Sequence, residues 1–277
     1  MSTPAQVDVA YNYLRAKVDA EPRVAVVLGS GIPRPEVYVA AEVPFAEVPF
    51  LAAATVEGHA GRFVFGFAPP DRTPVVLIDG RLHFFEGHPA ATVLLPVRLC
   101  ARLGCRAAVV TGTVGAVRPG YDAGDVVLLT DHLNVSGISP LAGPHYSDFG
   151  ARFVSPAGAY DKGWRERALA AADELGTNLK AGVYAMVAGP TYETAAEAAM
   201  LARLGADVVG MSVVPEVLAA RQAGLTVLGL AVVANTAGRE ATRHDDVLAR
   251  AAAAGARAAE LITVLLPALA RTEGPPL

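Results

Sequence analysis

Seven runs rich in Val, Ile and Leu, at residues 23–28, 74–78, 106–111, 125–130, 182–188, 206–211 and 225–234, constrain this chain more than any other feature. Their apolar residues are continuous instead of alternating with polar ones, as in strands covered on both faces. Helical patterns occupy residues 90–103, 163–175, 194–204 and 215–223, between several of the runs. Such alternation implies βαβ crossovers. The expected fold is therefore α/β: a single domain, residues 1–277, with a twisted, largely parallel mixed central β-sheet flanked by helices. With 53% hydrophobic and 18% charged residues, a chain of 277 residues can fill one such core. No Gly/Ser linker and no internal repeat divides it.

The same composition excludes several classes of function. A net charge of -4 offers nucleic acid no clustered cations to neutralise its phosphates. The apolar stretch 247–270 is interrupted by Arg250, Arg257 and Glu260, so it reads as a packed helix and no membrane span is expected. Cys100 and Cys105 fit neither a CxxC pair nor a zinc spacing and are expected to be reduced and structural. The first ten residues lack a basic segment followed by an apolar core, and a cytoplasmic protein is expected. One stretch resists the alternation: residues 132–162 read as a long loop rich in Gly, Pro, Ser and His, with His132 at a strand end.

In open α/β sheets ligands bind beyond the strand ends, so the residues there are the candidates for chemistry. The first run ends in Gly29-Ser30-Gly31, where backbone N–H groups and a hydroxyl can approach an oxyanion. The second leads into Arg81 and His83, which share a face if the strand extends and then form a cationic pair for phosphate. Thr113 follows the third run, and Ser212 follows Gly210-Met211. A serine there is most often an N-cap, here for the helix at Pro215-Glu216, and phosphate binding and capping can both be served nearby. The fifth run leads into Gly189-Pro190-Thr191-Tyr192-Glu193-Thr194, which sets a carboxylate beside an aromatic ring. Glu193 is either a ligand group or a solvated first-turn carboxylate. Asn235 ends the last run with a donor and an acceptor suited to a heterocycle edge. GxSxG, HExxH and metal-ligand clusters are missing from the sequence, and a GxGxxG fingerprint is not formed at Gly29. Hydroxyls and cations beside a carboxylate and an amide suggest phosphate as nucleophile and a nitrogen heterocycle as leaving group.

These motifs, together with Glu57-Gly58-His59-Ala60-Gly61-Arg62, Glu86-Gly87 and Val213-Val214-Pro215-Glu216, resemble the trimeric, low-molecular-mass class of purine nucleoside phosphorylases over nearly the whole chain. The resemblance implies reversible phosphorolysis of 6-oxopurine ribo- and deoxyribonucleosides to free base and sugar 1-phosphate. It implies no cofactor, inorganic phosphate being a co-substrate, and a homotrimer. Ser30, Arg81, His83, Ser212 and the backbone of Thr113 would hold phosphate. Glu193 and Asn235 would bind the purine, Tyr192 would stack near it, and Met211 would line the ribose. His244 would reach the 5′-hydroxyl, and Phe153 matches the aromatic that the family offers to a neighbouring subunit. On this reading Asn235, Glu193 and His83 carry the catalysis.

The chain departs from that pattern at Gly112, where the family usually has Asn, and in a short stretch between residues 237 and 243. Two alternatives follow. Methylthioadenosine phosphorylase, of the same fold, would be expected to carry Asp where this chain has Asn235, and a non-catalytic nucleoside-binding homologue would agree with the loss at Gly112.

Overall fold

Five consecutive buried residues make up β1 (Val24–Leu28), which pairs in parallel with β4 (Thr73–Asp79) on one side and β5 (Ala107–Ala116) on the other. The structure is a computed structural model that describes residues 2–239 and 244–272, without the side chains of 244–250. Beyond β4 the sheet continues antiparallel through β3 (Arg62–Ala68) to β2 (Tyr38–Pro44). On the far side of β5 lie β8 (Val208–Gly210), β7 (Leu179–Met186), β6 (Val126–Asn134) and β9 (Thr226–Thr236). The strand order is β2-β3-β4-β1-β5-β8-β7-β6-β9, and β9 also pairs in parallel with β5. The strands β5, β8, β7, β6 and β9 therefore close into a ring, from which β1, β4, β3 and β2 extend as an open arm. Parallel pairs join β1 to β4 and β5, β5 to β9, and β7 to β6 and β8, whereas β5–β8 and β6–β9 are antiparallel.

Helices cover both faces, as the alternation requires: α1 (Pro4–Lys17), α2 (Ala90–Arg102), α3 (Lys162–Glu174), α4 (Ala195–Leu204), α5 (Val214–Gln222) and α6 (His244–Leu269). Residues Ala251–Leu269 are long and apolar enough to cross a membrane by composition alone. However, Ala251, Ala254, Ala258, Leu261 and Leu265 recur at helical spacing and are buried with the inner residues of β1, β4 and β9. The helix thus has a core face of its own, as expected. Cys100 and Cys105 are free and buried.

Three elements escape the apolar-run pattern. Strand β2 is an edge, exposed at most positions and ending in Pro44, so it carries no continuous run. In β3 the run Phe63-Val64-Phe65 is broken by Gly66, which is small because an added Cβ would lie 2.6 Å from the Tyr38 carbonyl oxygen. Helix α1 buries only Val7, Ala10 and Leu14, a thin stripe. The expected loop 132–162 is also corrected: β6 runs on to Asn134, because His132 pairs with Tyr184 of β7. The remainder is tied back by buried Phe149 and by Tyr160, which bridges to Val227 of β9.

Candidate active site

The C-terminal ends of β1, β4, β7, β8 and β9, with the middle of β5, converge on a cavity of about 330 Å³. It brings together Ser30, Arg81, His83, Thr113, Tyr192, Glu193, Met211, Ser212 and Asn235, all residues singled out from the sequence. Phe153 is not among them: it stands 90% exposed on the surface. His244 opens α6, and its side chain lies outside the described residues.

At one end the groups suit an anion. Arg81 and His83 do not share a strand face, because β4 stops at Asp79 and Gly80 turns the chain with φ 92°. A Cβ at Gly80 would lie 2.9 Å from the Cβ of His59, so the turn brings these segments into contact. Arg81 is buried; its Nη1 lies 3.2 Å from Glu216 Oε1, and Nη2 donates to the Thr111 carbonyl. Its Nε has no hydrogen-bond partner among the described residues, which is costly for a buried donor unless a ligand accepts from it. The His83 ring stacks on Phe85, and its Nδ1 lies 3.0 Å from Glu86 Oε1. Glu86 is a capable acceptor: burial pushes its pKa up, but hydrogen bonds from His83 and Thr55 outweigh this and hold it at about 2. With Nδ1–H directed at that carboxylate, Nε2 is left for a ligand. Burial lowers the His83 pKa against the upward pull of Glu86, and the nearby Arg81 charge lowers it further.

His59 completes this end. The backbone N–H of Arg81 donates to His59 Nδ1 at 2.7 Å, so that nitrogen carries no proton. Burial, then the charges of His83 and Arg81, lower the His59 pKa to about 3, and the ring is neutral. Its single proton therefore sits on Nε2, 2.6 Å from Ser30 Oγ. Since His59 donates to Ser30, the serine hydroxyl keeps its own hydrogen for a bound oxyanion. Thr113 ties the facing wall to this one, its hydroxyl donating to the Ser30 carbonyl.

Ser212 is not a helix cap. The N-cap of α5 is Val213, and no side-chain cap bond is made there. Ser212 instead lines the cavity, and its backbone N–H donates to the hydroxyl of buried Tyr184 at 3.1 Å.

The other end is more open. After β7 the chain passes through the cis Gly189–Pro190 peptide, with Met211 and Phe85 packed where a side chain at Gly189 would be. Thr194 caps α4 and forms a capping box with Glu197, so Glu197 is the first-turn carboxylate. Glu193 precedes the cap and turns into the cavity; burial, and then the Glu197 charge, raise its pKa. Tyr192 is 40% exposed, whereas Asn235, at the end of β9, is buried. The wall between the two ends is largely apolar, with Val56, Phe85, Val209 and Met211.

Gly112 does not line the cavity. A Cβ there would come within 2.8 Å of Val213 Cγ2, so its smallness serves packing behind the site. His59 and Glu216 lie in motifs that carry the resemblance but received no role from them, and Tyr184 had no local signal, because the partners of all three are distant in sequence. The His83–Glu86 pair, three residues apart, was open to detection by spacing alone.

The chain is similar to known proteins over nearly its whole length. Residues 23–267 match the model of the phosphorylase superfamily. The chain is 38% identical to purine nucleoside phosphorylase 1 of Bacillus subtilis, over 88% of this chain and 91% of that protein. To the rat purine nucleoside phosphorylase it is 37% identical, over 93% of this chain and 92% of the relative. Among solved structures, a Schistosoma purine nucleoside phosphorylase in complex with hypoxanthine superposes with a TM-score of 0.86 at 31% identity, covering 96% of this chain and 99% of that one. The Schistosoma enzyme in complex with guanosine gives a TM-score of 0.85 at 30% identity, over the whole of both chains.

Proposed function

Because the chain belongs to the phosphorylase superfamily, among the purine nucleoside phosphorylases, we propose that its cavity carries out reversible phosphorolysis of purine nucleosides by the residues described above. The enzyme is a pentosyltransferase: phosphate attacks C1′ of the sugar, the C1′–N9 bond breaks, and its electron pair leaves with the base. One observation supports the assignment of residues most directly. Buried Arg81 and His83 stand with serine hydroxyls at one end of the cavity, a carboxylate and an amide stand at the other, and the wall between them is largely apolar.

On this reading Arg81 Nε, the Ser30 hydroxyl, Ser212 and His83 hold phosphate, with the Thr113 backbone beside them. As the glycosidic bond stretches, the sugar gains positive charge and the purine negative charge. Asn235 donates to N7, and a well-placed donor in a site that excludes water contributes roughly 3 kcal/mol at the transition state. Glu193 accepts from the N1 side of a 6-oxopurine, Tyr192 stacks near the ring, and Met211 lines the ribose. Bound phosphate both attacks and steadies the cationic sugar, which is effective only when it is positioned beforehand. Asn235, where an acceptor carboxylate would suit a 6-amino base, supports inosine and guanosine as substrates.

The proposal extends to a cytoplasmic homotrimer acting in purine salvage, with phosphate as co-substrate and no further cofactor. Phe153 supports the oligomer, since a phenylalanine left 90% exposed is suited to burial against a neighbouring copy. Incubation with inosine, with and without phosphate, tests the reaction by the release of hypoxanthine. Release that does not depend on phosphate would overturn it, and faster cleavage of methylthioadenosine than of inosine would overturn the base preference. Sedimentation of the purified protein tests the trimer.

A further inference from the structure

Ser212 sits on the most strained backbone in the cavity wall. The next residue, Val213, has φ 71° and ψ -58°, and the Val214 N–H donates to the Ser212 carbonyl at 2.8 Å. This is a γ-turn of the rare, strained kind, and at its centre is a β-branched residue that ordinarily avoids positive φ. Such a conformation persists only where its surroundings over-determine it. Two features do so here. Above the turn, the Tyr184 hydroxyl accepts from the Ser212 N–H at 3.1 Å, and Tyr184 is fully buried. A Cβ at Gly210 would lie 2.6 Å from that hydroxyl, so the glycine admits it. Behind the turn, Gly112 makes room for Val213: a Cβ at residue 112 would come within 2.8 Å of Val213 Cγ2 and 3.8 Å of Ser212 Oγ.

We propose that Tyr184 and Gly112 are positioning residues for phosphate: the phenol fixes the Ser212 backbone, and the glycine lets Val213 hold the turn that aims Ser212 into the cavity. Neither lines the cavity, so both act through Ser212. The departure at Gly112 is then one half of a matched pair with Val213. The inference rests on the phosphorolysis reading, with Ser212 as a phosphate ligand.

Steady-state kinetics with inosine and phosphate varied in turn test it. Tyr184→Phe removes one hydroxyl and should raise the KM for phosphate about five-fold, the order expected for one lost hydrogen bond, while the KM for inosine stays at the wild-type value. Gly112→Ala should raise the phosphate KM in the same way by displacing Val213. Adding Val213→Gly to Gly112→Ala removes Cγ2 and places at the turn a residue that tolerates positive φ. The double variant should recover the wild-type phosphate KM, with the KM for inosine unchanged throughout, whereas a merely structural role for Gly112 would move both. The inference is overturned if Tyr184→Phe leaves the phosphate KM unchanged, if both KM values rise together, or if Val213→Gly gives no recovery. Those results, with a wild type that requires phosphate, would leave the reaction itself standing; a wild type indifferent to phosphate would remove both.

Discussion

At the end of the cavity proposed to hold phosphate, Arg81, His83, Ser30 and Ser212 are each held by a second group, namely Glu216, Glu86, His59 and Tyr184. At the end proposed to hold the purine, the side chains of Tyr192, Glu193 and Asn235 are held by no other described residue, and the Glu193 carboxylate accepts only from its own backbone N–H. The difference follows from charge. The buried Arg81 guanidinium is paired with Glu216, whereas the Glu193 carboxylate, for which no cation is found among the described residues, has its charged form disfavoured by burial, which raises its pKa. One end is therefore held by pairs within the core, and the other by the end of β9 together with the loop that leads into α4.

Arg81→Ala should break this contrast most severely, because it leaves Glu216 buried without its cation. A loss of about 3–5 kcal/mol in denaturant unfolding is expected, together with loss of saturation by phosphate. Wild-type stability on the mutant would show that the Arg81–Glu216 pair does not organise its end.

Acid should act on the same end. The folded-state pKa of His59 is about 3, below the ordinary value of 6.5, so between those values the unfolded chain binds the extra proton. The stability contributed by the neutral ring is complete above pH 6.5 and is lost as pH falls toward 3. Melting temperatures measured across that window should fall less steeply in His59→Gln than in the wild type. Parallel slopes would mean that His59 is not the group responsible.

At the purine end the expected effects fall on activity. Glu193→Ala should lower kcat/KM for inosine about 100-fold, the equivalent of roughly 3 kcal/mol, with an unchanged melting temperature. Because burial raises the Glu193 pKa, its carboxylate protonates at a higher pH than an ordinary one. Wild-type kcat/KM should therefore decline on acidification before an ordinary carboxylate would titrate, and Glu193→Gln should lack that limb. Unchanged kinetics in Glu193→Ala would remove the carboxylate from the site.

The smallest effect is expected from Thr194→Ala. It deletes the α4 cap and should cost about 1 kcal/mol of stability, with a modest rise in the KM for inosine and none in that for phosphate. A rise in both would mean that the two ends are not independent.

What could be read from the sequence divides along similar lines. The strands buried on both faces announced themselves as apolar runs, and with them the strand ends bearing Ser30, Arg81, Ser212, Glu193 and Asn235. Strand β2 did not, since an edge needs no continuous run, and neither did α1, whose buried stripe is three residues wide. Within the site, ligand-facing groups could be recognised from their position after a strand. Of their supports, only Glu86, three residues from His83, could be found by spacing. Glu216 is 135 positions from Arg81 and His59 is 29 from Ser30, and only the folded chain brings them within bonding distance. Gly112 reads as a lost amide because its packing neighbour Val213, at the start of α5, is invisible to local pattern.

The ring of strands has a consequence for how the molecule is made. Its closing seam joins β5 to β9, whose paired residues Ala107 and Thr226 are more than a hundred positions apart. Until the last strand emerges from the ribosome, β5 presents an unsatisfied edge, and no shorter nascent chain contains Asn235. Assembly of the Asn235 end of the cavity thus waits for β9, and before it arrives the unpaired part of the β5 edge is open to wrong pairing.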